Sequence, residues 1–77
     1  MFTTLTVILD RSGRRQDFQM PSATLAGYAA MRVAESLGLD AEGCLCALGN
    51  PETGNALDPE LPVSEIAGPV LFMVEGG

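Results

Sequence analysis

The sequence predicts an α+β domain in which one long helix packs across a mixed sheet of four to five strands. Three observations carry that prediction. Two segments of alternating hydrophobicity flank a short polar turn near the N-terminus, a helix-forming stretch ending in glycine follows, and an apolar strand comes last.

Residues 4–10, Thr-Leu-Thr-Val-Ile-Leu-Asp, set Leu5, Val7 and Leu9 against Thr4, Thr6 and Ile8, the period of a strand with one buried face. Asp10-Arg11-Ser12-Gly13-Arg14 is a polar turn in which Gly13 is free to take positive φ. Residues 15–20 alternate again and place Phe18 and Met20 inward, completing a hairpin. Pro21 and Ser22 interrupt the pattern, with Ser22 as candidate N-cap of a helix over 23–37. Leu25, Ala29, Val33 and Leu37 form its apolar stripe, with Tyr28 on the flank as a half-buried residue. Gly38 is the expected stop. Gly27 weakens the helix, and a close helix–strand approach would account for it.

Residues 44–48, Cys-Leu-Cys-Ala-Leu, read as a third strand, and 49–55 as a loop rich in Gly, Asn and Pro. Residues 56–62 carry two prolines and allow at most a short edge strand. Ser64-Glu65-Ile66 suits a single helical turn. Residues 69–74 form the last strand, apolar on both faces and therefore central, parallel to the first.

Composition narrows the function. The 77 residues carry a net charge of −6, which disfavours nucleic acid as a partner, since its binding requires basic side chains against phosphates. No apolar run reaches the ~20 residues of a membrane span, and residues 1–4 lack the charged flank of a signal peptide, so a cytoplasmic protein with no membrane partner is expected. Cys44 and Cys46 match neither a redox nor a zinc pattern and no histidine is present, so no metal site and no enzymatic acid–base pair is expected.

The basic residues are Arg11, Arg14, Arg15 and Arg32, so lysine is absent. The sequence closes on Val74-Glu75-Gly76-Gly77. Glycine buries nothing and loses the most conformational freedom on ordering, so a Gly-Gly ending serves no packed core. It does suit an enzyme that draws a C-terminal carboxylate through a narrow channel. The expectation is a carrier or tag whose own carboxylate reacts, with the Met1 amine as the one remaining self-acceptor.

Across nearly the whole chain these features resemble the ubiquitin-like β-grasp family, most closely the bacterial ubiquitin-like modifiers. The resemblance rests on the Leu5/Val7/Leu9 strand, the hairpin, the Pro21-Ser22-Ala23-Thr24-Leu25 helix entry, the Leu57–Ile66 stretch and Gly76-Gly77. It implies a β-grasp domain over residues 1–75 with a conjugation tail at Gly76 and Gly77. It also implies ATP-dependent activation of the Gly77 carboxylate by an E1-like enzyme, with transfer through an E2-like enzyme to target proteins. A processing or deconjugating protease is a further implied partner. ATP is used by the activating enzyme, and no cofactor is expected on this chain.

Two departures shape the expectation. Glu75 stands where ubiquitin's tail is basic, which implies a dedicated activating partner. The last strand runs almost to Gly76, a short tail like that of the sulfur carriers of molybdopterin and thiamine synthesis. A thiocarboxylate carrier is thus the second reading, and an unconjugated adaptor the third.

Two surface groups are candidate partner-binding sites. With Leu45, Phe72 and Val74 toward the helix, Ile8, Cys44, Cys46, Leu71 and Met73 share the opposite sheet face, though a one-residue slip would reverse every side chain. Arg14 and Arg15, with Arg11, gather at the hairpin tip.

Overall fold

The computed structural model describes residues 1–10, 12–39 and 44–76. Strands β1 (Phe2–Ile8) and β2 (Arg15–Pro21) are followed by helix α1 (Ala26–Ser36), then by strands β3 (Cys44–Gly49) and β4 (Val70–Gly76). Among the described residues the sheet has four strands in the order β2-β1-β4-β3. β1 pairs antiparallel with β2 and parallel with β4, which pairs antiparallel with β3. The expected central position of the last strand and its parallel pairing with the first are both present.

The hairpin closes as its residues demand. Leu9 N–H donates to Arg14 O at 2.7 Å and Gly13 N–H to Asp10 O at 3.1 Å, with Gly13 at φ +84°. Leu5, Val7 and Met20 are buried, and Leu9 and Phe18 pack against them.

The helix differs from expectation at its start. It begins at Ala26 after Leu25, and Ser22 does not cap it. Instead the hydroxyls of Ser22 and Thr3 share a hydrogen bond of 2.7 Å. The open amides of the first turn are met from far along the chain: Ala26 N–H donates to Leu61 O at 2.8 Å and Gly27 N–H to Pro59 O at 2.9 Å. Val63 N–H returns the link by donating to Thr24 O at 2.8 Å. The stretch 56–62 is therefore a capping loop with isolated bridges Gly49↔Ala56 and Leu25↔Pro62, and not an edge strand.

The far end of the helix behaves as expected. Gly38 takes φ +77°, its N–H reaches Glu35 O at 3.0 Å, and Leu39 N–H reaches Ala34 O at 2.9 Å. This double closure is the Schellman arrangement, which only glycine enters without strain.

The buried face of α1 is built from Ala26, Ala29, Ala30, Val33 and Ala34. Small side chains let the helix lie close on the sheet, chiefly over β3. Leu25 and Leu37, expected at the ends of the stripe, flank the helix and are more than a third exposed. Tyr28 is also exposed rather than half-buried. The single turn after the capping loop is a 3-10 turn at Val63–Glu65, whose Val63 is fully buried.

Gly27 answers to the capping loop, not to a strand. A Cβ there would stand 3.0 Å from Pro59 Cβ and 3.3 Å from Pro59 O. Gly27→Val is therefore expected to cost about 2 kcal/mol through overpacking and a weakened cap. Gly27→Ala should cost much less, since its helix gain offsets the contact. Thermal unfolding of the two variants checks the ranking.

Candidate functional site

The sheet face turned away from α1 is set by strand parity. In β1 the buried Leu5 and Val7 face the helix, leaving Ile8, Thr6 and Thr4 outside. Ile8 pairs with Leu71, and Val7 with the buried Val70, so Leu71 and Met73 of β4 also lie outside. Three of the expected docking residues, Ile8, Leu71 and Met73, therefore share this face.

Cys46 does not. It pairs with Val74, two residues from the buried pair Leu48↔Phe72, and packs against the core on the helix side. Its place on the outer face is taken by Leu45 and Ala47, which pair with Glu75 and Met73. Leu45, expected to face the helix, is 73% exposed. The reason is local: β3 is apolar on both faces, so its alternation carries no parity, and burial of Leu48 decides it. Val74 faces the helix side as expected but lies past the core's edge and is 40% exposed.

Gly49 was not anticipated as part of this surface. A Cβ at Gly49 would collide with Met73 Sδ and stand 3.2 Å from Asn55 O. The bare backbone of Gly49 is thus the seat on which the Met73 side chain lies. Beside it, Leu45, Ala47, Ala56 and Met73 line an apolar hollow of about 220 Å³. The middle of the β1–β2 half of the same face is polar, with Thr6 Oγ1 donating to Asp17 Oδ1 at 2.7 Å, and separates the exposed Phe2 at the far end of β1 from the patch. The contiguous apolar patch is therefore made by Ile8, β4 and β3.

The arginines separate. Arg15 is exposed opposite Ile8, which puts it at the margin of the patch. Arg14 turns to Asp10, with Nη2 3.0 Å from Oδ2. The Asp10 carboxyl lies below its ordinary value, chiefly because the Ser12 hydroxyl donates to it, aided by Ser12 N–H and the Arg14 charge. Arg14 is thereby partly neutralised as a docking cation. Arg11 and Gly77 lie outside the described residues.

Gly76 remains in register as the last residue of β4, paired with Cys44. The tail expected at Gly76 and Gly77 therefore does not leave the sheet at Gly76. Among the described residues no three His, Cys, Asp or Glu side chains gather where they could hold a metal ion. None of the described helices is long and apolar enough to cross a membrane.

No family model matches the sequence, and no curated protein matches it. Solved structures do. The chain is similar to a computationally designed protein based on the template of human erythrocytic ubiquitin, at 20% identity and a TM-score of 0.65, covering 96% of this chain and 92% of that one. It is also similar to the C-terminal ubiquitin-like domain of mouse tubulin-specific chaperone e, at 11% identity and a TM-score of 0.54, covering 99% and 87%. At such identities the likeness is one of fold. The chain has the ubiquitin-like β-grasp fold, a mixed four-stranded sheet packed on one helix.

Proposed function

We propose that this ubiquitin-like domain is a protein modifier, joined to target amines or hydroxyls through the carboxyl group of Gly77. The reading holds whether Gly77 ends the chain or a protease exposes it. The observation that carries it is the Gly76-Gly77 pair, with Gly76 as the last residue of an inner strand of a ubiquitin-like fold, on a chain without lysine. The chain supplies the reacting carboxylate and a surface for recognition, and an E1-like partner supplies the chemistry. ATP adenylates the carboxylate, a partner thiolate displaces AMP, and the resulting thioester yields to an amine. A lysine-free surface offers that thioester few competing nucleophiles.

Strand pairing of Gly76 with Cys44 favours one alternative, the sulfur carrier, in which the activated carboxylate receives sulfur in place of an amine. Incubation with the E1-like enzyme of the same source and ATP, followed by intact mass, separates the two. A thiol-sensitive enzyme adduct passing to a second protein supports the modifier. Replacement of one carboxylate oxygen by sulfur on the free chain supports the carrier. No ATP-dependent change rejects both.

The apolar patch is the recognition surface in this reading. Truncating Leu45 and Met73 together to Ala is expected to raise the KM of the activating or conjugating partner about tenfold or more, as loss of interface anchors does. Leu45→Ala alone should move the thermal midpoint little, because Leu45 is largely exposed, so it separates lost recognition from the stability lost with the partly buried Met73.

A further inference from the structure

We infer that a second docking site, fitted to an arginine side chain of a protein partner, lies where β3 ends and β4 begins. A groove of about 320 Å³ opens there. Its floor is apolar, made by Leu57, Leu61 and Ile66, which pack on the core, together with the buried Val70. Its other walls include Glu52 and Glu65, both exposed. Neither carboxylate has a hydrogen-bond or ion-pair partner among the described residues. Their backbones are fixed: Glu52 N–H donates to Asn50 Oδ1 at 2.8 Å, and Glu65 N–H to Pro62 O at 3.0 Å.

An apolar floor with two carboxylates is the complement of a side chain with an aliphatic stem and a cationic head. A purely apolar occupant would desolvate the carboxylates without pairing them. An anionic one would be repelled by them and by the net charge of −6. Guanidinium is more weakly hydrated than ammonium and tolerates an apolar surface, which selects arginine. The volume sits at the low end of the roughly 300–1,000 Å³ of small-molecule sites, so it suits a single side chain. None of the described arginines lines the groove, and the cation proposed for it is a partner's.

Gly76 lies at the other end of β4, about 20 Å away at the rise of a strand. A partner arginine seated here leaves the carboxyl end uncovered, and the site does not rest on the conjugation reading.

The test is an amide chemical-shift titration of the full chain with butylguanidinium chloride, and with neutral butylurea, at constant ionic strength. Saturable shifts confined to residues 50–52, 57, 61 and 65–70 are expected with butylguanidinium, at least about fivefold weaker in E52Q/E65Q and with butylurea. Both changes are at exposed positions, so the double variant should unfold at the parent's midpoint. Three results would overturn the site: no saturable shifts, shifts equal at unrelated carboxylates such as Glu35 and Glu60, or shifts indifferent to E52Q/E65Q.

Discussion

Leu48→Ala is expected to destabilise the fold by about 3 kcal/mol, whereas Leu45→Ala on the same strand should change stability by less than about 0.5 kcal/mol. Leu48 is 2% exposed and pairs with the buried Phe72, while Leu45 is 73% exposed. Truncating Leu48 removes apolar contact from the core and leaves a cavity under α1 that the alanine-rich helix face cannot fill. At about 0.05–0.15 kcal/mol per residue, a domain of this size holds roughly 4–11 kcal/mol in all. The loss would lower the thermal midpoint by roughly 12–24 °C. Urea and thermal unfolding of the two variants measure it. The reverse ranking would mean that β3 presents its other face to the helix.

Removing Gly77 is expected to abolish ATP-dependent transfer while leaving the thermal midpoint close to the parent's, since glycine contributes no side chain to the core. Gly77→Ala separates two requirements. It keeps a terminal carboxylate but adds a Cβ, and where a narrow channel must admit the backbone, transfer should slow by on the order of a hundredfold through misplacement of the reacting carbon. Normal transfer by Gly77→Ala would remove the steric reason for glycine. In the modifier reading, pairing of Gly76 with Cys44 adds a step, because the end of β4 would have to leave β3 before the carboxylate entered such a channel. Strand ends open at small cost, so this step is not expected to limit the reaction.

The parts of the fold legible in the sequence are those set by local chemistry. Gly13 and Gly38 mark the turn and the helix stop because each needs positive φ. Val70 to Val74 announce a central strand by being apolar on both faces. The start of α1 was not legible from Ser22, because its cap comes from the carbonyls of Pro59 and Leu61, more than thirty residues away. The same long-range link explains Gly27, the absence of a strand over 56–62, and the burial of Val63.

The site divides along the same line. Ile8 follows from the alternation of β1, and the parallel register with β1 carries its parity to Leu71 and Met73, since β4 is itself apolar on both faces. Cys46 and Leu45 exchange places because Cys-Leu-Cys-Ala-Leu offers two apolar faces, and only the tertiary packing of Leu48 chooses between them. Gly49 carries a faint signal, a glycine closing an apolar strand, but the side chain it accommodates belongs to another strand.

Conjugation through Gly77 is most directly tested on proteins modified by the chain in its own cells. The last basic residue is Arg32, so cleavage after Lys and Arg would leave a remnant from Val33 to Gly77 on each target. Cleavage after Glu75 instead leaves only Gly76-Gly77. Digestion with a glutamate-specific protease and peptide mass spectrometry should find Gly-Gly joined to lysine or hydroxyl side chains of other proteins, and none in cells carrying the chain without Gly77. Gly76-Gly77 recovered solely as a linear dipeptide or as its thiocarboxylate, with no branched peptide, would contradict the modifier reading.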